Sequence, residues 1–214
     1  MNVMFLGQMG SGKSFYANIL VDKGFERISL ATPIKEMEMG LDDAEGSAEF
    51  AELIYPHFKY VPEYGGDSRS AMISVLRKAK NIEREEPKPR KRLQYIGTEG
   101  GREKVDWNIW IKILLGKVKK DDFTDWVLDD CRFMNEFKWL SKTFTPIKVL
   151  IDEKTQMERL TRDYPGFDPK VLEHASEQDV KNMHPKLTID GTLSRDEAKK
   201  QLEEMLKPYD QFIS

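Results

Sequence analysis

The chain has 214 residues, enough for one α/β domain with an inserted lobe and a sizeable core. Hydrophobic residues make up 39% and charged residues 33%, which excludes a disordered chain, and no stretch is apolar enough to read as a membrane-spanning helix. A formal net charge of −3 argues against a general binder of polymeric nucleic acid, while a single cysteine, Cys131, excludes an internal disulfide framework and points to a reducing, cytoplasmic setting.

The first segment, Met1 to Leu6, lacks the basic flank of a leader and runs straight into a glycine motif, so it is expected to be a strand. Val3 to Leu6 reads as a buried parallel strand. Phe15, Tyr16, Ile19 and Leu20 then share one helical face, and Gly24 sits where a helix would end. Arg27 to Leu30 is a second predicted strand, and Pro33 opens a helix that Gly40 closes. Residues 41–90 are irregular and proline-rich, with a helical piece over Ala71 to Lys80, and are expected to form an inserted, mostly helical lobe on the substrate side. Trp107, Trp110, Ile111, Leu114, Leu115 and Val118 predict a strong amphipathic helix. Trp126 to Leu128, Ile147 to Ile151 and Leu187 to Ile189 are the remaining predicted strands. Capping-box spacings at Thr155/Glu158 and Ser194/Glu197 open the last two helices. Strands alternating with helices predict a three-layer α/β fold, a parallel sheet flanked by helices.

The strongest motif is Gly7-Gln8-Met9-Gly10-Ser11-Gly12-Lys13-Ser14, a full match to G-x-x-x-x-G-K-[ST]. Glycines let successive backbone N–H groups converge on phosphate oxygens, and the helix that starts near Lys13 turns its positive end toward the same place. Lys13 adds a charge for the β and γ phosphates of ATP, and the Ser14 hydroxyl can ligate Mg²⁺. The motif lies between a predicted strand and a predicted helix, as a P-loop NTPase requires. The metal also needs an acid at a neighbouring strand end. Asp129 and Asp130 follow Leu128 there, and at least one of them is expected to serve. Asp130-Cys131-Arg132 is the more informative unit, because an acid and an arginine two apart can address a metal and a phosphate together. Arg159 and Arg162 lie one turn apart on a predicted helix, followed by a loop with Pro165, Gly166 and Pro169. A solvated helix face is the plain alternative, and 159–180 as a mobile lid is the functional one. The run Arg77 to Arg92 holds eight basic residues against three acids and is expected to be a solvated charged helix.

The P-loop, Leu93-Gln94-Tyr95-Ile96-Gly97-Thr98-Glu99 with Gly101-Arg102, Trp107, Asp130-Cys131-Arg132-Phe133 with Asn135-Glu136, and His174-Ala175-Ser176-Glu177 occur in an order that resembles the phage deoxynucleoside monophosphate kinases. The resemblance spans most of the chain apart from 41–90. It implies ATP with Mg²⁺ as donor, a deoxynucleoside monophosphate as acceptor, and a host-cytoplasmic setting for a phage product. By the same resemblance Lys13 and the loop would hold ATP, and Ser14 and Asp130 the Mg²⁺. Arg102 and Arg132, with Lys35 as a weaker candidate, would grip the acceptor phosphate. Trp107 would stack on base or sugar, and Glu136 would meet a base edge. Arg159 and Arg162 would close on the transferring group, and Gly191 and Thr192 would border adenine. Trp107 as a core residue and Glu136 as a local cap are the plain alternatives, and His174 is given no chemical role. A homodimer is left open. Rival readings are a dephospho-coenzyme A kinase, a ribonucleotide kinase, or a P-loop ATPase or GTPase switch. The Asn-Lys-x-Asp guanine motif of a GTPase is absent.

Overall fold

The structure is a computed structural model and describes residues 1–210. In chain order the elements are β1 (Asn2–Leu6), α1 (Lys13–Val21), β2 (Glu26–Ile28), α2 (Thr32–Met39), α3 (Ser47–Phe58), α4 (Gly66–Lys80), α5 (Arg90–Gln94), a π-helical segment (Tyr95–Val105) and α6 (Ile109–Lys120). They continue with β3 (Trp126–Leu128), α7 (Met134–Leu140), β4 (Thr145–Leu150), α8 (Glu153–Asp163), a 3₁₀ turn (Pro169–Glu173), α9 (Ala175–Lys181), β5 (Leu187–Asp190) and α10 (Arg195–Asp210). The described chain divides into two compact units. One is formed by Met1–Ile28 together with the chain from Phe123 onward, and the other by Ser29–Asp122.

The first unit holds a five-stranded, wholly parallel sheet in the order β2-β3-β1-β4-β5. Alternate residues of a strand point to opposite faces. Val3 and Phe5 therefore join Val127, Ile147, Val149 and Ile189 under Tyr16, Ala17 and Leu20 of α1 and Ala198, Leu202 and Leu206 of α10. Met4, Leu6 and Leu128, on the other parity, are equally buried, so both faces of the sheet are covered. This explains the near-continuous apolar runs of β1 and β3. The result is the α/β architecture of a P-loop NTPase with an inserted helical lobe.

Several elements differ in detail from the sequence reading. β2 ends at Ile28, because the Ser29 hydroxyl accepts from Ala31 N–H at 3.1 Å and turns the chain before Leu30 can pair. The helix expected to open at Thr155 is capped by Asp152, whose carboxylate accepts from Thr155 N–H at 2.9 Å. The Ser194/Glu197 capping box is present as expected, with Ser194 N–H donating to Glu197 at 3.0 Å.

The second unit is entirely helical and contains the 41–90 stretch. α4 runs longer than the expected Ala71 to Lys80. α6 begins at Ile109, which leaves Trp107 outside the helix and 56% exposed, while Trp110 is buried and donates to Gly97 O at 2.7 Å. Of these two, Trp110 rather than Trp107 belongs to the core. The basic run is not a uniform solvated face either. Arg92 is buried and donates to Asp42 at 2.7 Å and to Ile82 O at 2.8 Å, with buried Glu38 at 3.7 Å. A guanidinium can be buried at tolerable cost only when its donors are matched in this way.

Phe5 is fully buried in the central strand. Phe5→Ala is expected to lower unfolding stability by about 3–5 kcal/mol, read as a lower midpoint in urea unfolding.

Candidate phosphate-binding site

β1 ends at Leu6 and the chain enters the glycine loop at the carboxyl end of the sheet, where ligands of open α/β sheets gather. Gly12, just before α1, has φ +98°, a left-handed conformation that side chains rarely adopt and that lets the helix start abruptly at Lys13. Gly191, after β5, lies so close to the loop that a Cβ there would stand 2.6 Å from Ser11 O and 2.7 Å from Leu150 O. Ser11 itself is fully buried, and its hydroxyl has no partner among the described residues.

The loop is braced by side chains from two directions. Gln156 of α8 is buried and donates to Met9 O at 2.7 Å. Glu177 of α9, also buried, accepts from Met9 N–H at 2.8 Å. Arg159 spans the loop and the β5 turn, donating to Gly191 O at 2.9 Å and to Gly10 O at 3.4 Å. The Tyr16 hydroxyl donates to Asp190 O, and burial with the nearby Asp190 charge pushes its pKa up to about 12.

Lys13 folds its ammonium back onto its own loop, donating to Gly7 O at 2.6 Å and Gln8 O at 3.0 Å. Burial, and then the Arg132 charge, lower its pKa to about 8, against the opposing pull of Glu177 and Asp129. The Ser14 hydroxyl donates to Asp129 at 2.7 Å. Arg27 stands behind this pair. Its guanidinium donates to Asn18 at 3.1 Å and Ser14 O at 3.3 Å, and lies 3.7 Å from the Asp129 carboxylate.

These groups open onto a cleft of about 570 Å³. Its wall carries Lys13, Arg132, Arg159 and Arg162 against Asp129 and Asp163, an excess of positive charge suited to a polyanion. Of the residues predicted from sequence, the loop Gly7 to Ser14, Arg132, Arg159, Arg162 and Gly191 are brought together here. Thr192 sits beside Gly191 and bonds Asp190 through both its N–H and its hydroxyl. Arg162 is exposed and paired with Asp163 at 2.7 Å.

Two expectations meet a different arrangement. The acid in contact with Ser14 is Asp129, while Asp130, one residue on, is not among those lining the cleft. Glu136 is buried and accepts from the N–H groups of Arg132 (2.8 Å) and Phe133 (3.0 Å), which caps the start of α7 rather than presenting the carboxylate to a base. Lys35, Arg102 and Trp107 belong to the helical unit, Lys35 and Trp107 exposed and Arg102 half-buried. Sequence reasoning missed Gln156, Arg27 and the loop contact of Glu177. Glu177 stood in the His174-Ala175-Ser176-Glu177 run, whereas nothing local marks Gln156 or Arg27. The Ser14 hydroxyl and Asp129 carboxylate are hard oxygen donors of the kind Mg²⁺ takes when it shares its shell with phosphates and water.

The Lys13 shift has a definite sign. Between pH 8 and 10.5 the unfolded lysine still holds a proton that the native one has released, so stability contributed here rises with pH across that window. Relative to Lys13→Arg, which stays charged, the wild-type urea midpoint is expected to gain as pH rises from about 8 to 10.5.

No protein-family model matches the chain. Over 93 aligned residues it is 47% identical to the deoxynucleoside-5'-monophosphate kinase of Escherichia phage T5, a match covering 40% of this chain and 37% of that protein. The chain thus spans little more than a third of the length of the curated relative it matches. Among solved structures, TT1252 from Thermus thermophilus superposes with a TM-score of 0.53 at 15% identity, covering 97% of each chain. That likeness is one of fold, and the sequence similarity over two fifths of the chain is to a phage nucleotide kinase.

Proposed function

We propose that the protein transfers the γ-phosphoryl group of ATP to a deoxynucleoside 5'-monophosphate, giving the diphosphate and ADP. The observation that carries this reading is the cleft in which Lys13 and three arginines converge on the glycine loop beside the Ser14–Asp129 pair. The partial likeness to a phage deoxynucleoside-5'-monophosphate kinase supports the acceptor class.

Phosphoryl transfer asks for positioning and charge neutralisation more than for covalent help. Lys13 would exchange its loop carbonyls for phosphate oxygens, and the loop amides would cradle the β and γ phosphates. Ser14 and Asp129 would hold Mg²⁺, which neutralises phosphate charge when bound. Arg132, which lines the cleft with half its side chain exposed, would hold an acceptor phosphate. Arg162 would leave Asp163 for the transferring group, while Arg159 keeps the Gly191 turn, the proposed adenine border with Thr192, against the loop. The cover is proposed within 159–180. Lys35, Arg102 and Trp107, in the helical unit, are assigned to acceptor binding on the family resemblance. The acceptor needs no general base, since a phosphate monoester with a second pKa of about 6 is already an oxyanion at neutral pH.

The test is an ADP-release assay with ATP, Mg²⁺ and a panel of deoxynucleoside monophosphates, ribonucleoside monophosphates and dephospho-coenzyme A. Turnover with one or more deoxynucleotides and little with ribonucleotides is expected. ADP release with no acceptor would overturn the kinase reading, and turnover confined to the other acceptors would overturn the substrate class. Lys13→Ala is expected to lower turnover on the order of 10²–10³-fold. Asp129→Ala is expected to lower it about 10–100-fold, with Asp130→Ala costing less, and the reverse order would return the metal acid to Asp130.

A further inference from the structure

Glu177 does not line the cleft, yet it touches two residues that do. One carboxylate oxygen accepts from Met9 N–H at 2.8 Å, and the other lies 3.8 Å from the Arg132 guanidinium. The residue is only 5% exposed, so its charge must be matched by the groups around it. Its helix is fixed from outside the site. The Ser176 N–H donates to His174 at 3.3 Å where α9 begins, and Asp179 accepts from Met134 N–H at 2.9 Å. Lys148 donates to Lys181 O at 3.0 Å and to Met183 O at 2.7 Å where α9 ends. On the other side of Met9, Gln156 holds the carbonyl. A trans peptide opposes its N–H to its C=O, so fixing both polar groups of Met9 sets the planes of two successive loop peptides.

We propose that Glu177 is a positioning residue for phosphoryl transfer: one oxygen clamps the phosphate loop at Met9, and the other holds Arg132 at the cleft wall. The Arg132 half rests on the kinase reading above, and the loop half requires only that the chain bind ATP. A glutamine at this position could still accept from Met9 N–H. Only a carboxylate can also attract the guanidinium and offset the repulsion between Arg132 and Lys13, which face the same cleft. The sequence carries this residue in the His174-Ala175-Ser176-Glu177 run, whose other members serve to start the helix.

The test compares Glu177→Gln with Glu177→Ala, measuring ATP dissociation at equilibrium and KM for the acceptor in the ADP-release assay. Glu177→Gln is expected to weaken ATP binding by no more than about 2-fold, because Met9 N–H keeps an acceptor while Lys13 loses a counter-charge, and to raise acceptor KM about 10-fold, the scale of a lost charged contact. Glu177→Ala is expected to weaken ATP binding about 10-fold as well. If Glu177 acts through Arg132, adding Glu177→Gln to Arg132→Ala should raise acceptor KM no further. Wild-type ATP affinity in Glu177→Ala would overturn the loop half, and additive effects with Arg132→Ala would overturn the other. Should the alanine variant fail to fold, a loss of ATP affinity of about 10-fold in Glu177→Gln at unchanged melting temperature would overturn the division of roles. A wild type that binds ATP but uses no acceptor would sink the kinase reading and the Arg132 half with it, leaving the ATP measurement to decide the loop half.

Discussion

A loop that binds phosphate must keep its backbone donors aimed at a space that holds nothing until the ligand arrives. Such a backbone has every reason to collapse onto itself, because an unpaired N–H is costly once it is out of water. The rest of the sheet-bearing unit can be read as the solution to that constraint. Gln156 and Glu177 take the two polar groups of Met9, Arg159 ties the Gly10 carbonyl to the Gly191 turn, and Lys13 occupies the Gly7 and Gln8 carbonyls. Four loop carbonyls and the Met9 amide are thereby anchored, and Ser11 N–H donates to Gln8 O at 3.2 Å, so the loop keeps its shape. The parallel sheet places β1 between β3 and β4, so α8, α9 and the β5 turn all reach the loop from short distances.

Charge follows from the same constraint. Lys13, Arg132, Arg159 and Arg162 line one cleft, and the Lys13 pKa is lowered first by burial and then by the Arg132 charge. The carboxylates of Asp129 and Glu177 stand close enough to counter this without filling the cleft. Asp129 is in turn steadied by Arg27, which also holds Ser14 O, so the hydroxyl and the acid keep one geometry. Glu177, behind the wall, supplies opposing charge without taking a place on it, so the wall keeps its positive excess.

How much of this was legible in the sequence depended on whether the signal was local. The phosphate loop declares itself because one backbone shape demands glycine at fixed positions, and the apolar runs of β1 and β3 follow from burial on both sheet faces. Helix starts were readable only where the cap and its partner are near in sequence. Ser194 and Glu197 satisfied this, but Asp152 displaced Thr155 as the cap one turn earlier. Trp107 and Trp110 share a helical period, yet the helix begins between them and exposes one while burying the other. The contacts from Gln156, Arg27 and Glu177 to the loop and its acid were beyond reading, since each joins residues remote in the chain by a bond that leaves no periodic trace. Glu136 was visible as a polar residue of interest, and only the structure showed that the nearest amides claim its carboxylate.

The surroundings of Cys131 have a practical consequence. This thiol is fully buried between Asp130 and Arg132, and desolvation with the charges of Glu136 and Asp130 pushes its pKa well above the ordinary thiol range. It stays protonated and out of reach of electrophiles at neutral pH, and it is the chain's single cysteine. The native chain is therefore already a blank background for thiol-directed probes. A cysteine introduced at exposed Tyr164, on the rim of the cleft, would be the one reactive sulfur, and a fluorophore there would report local motion without first having to remove a native residue.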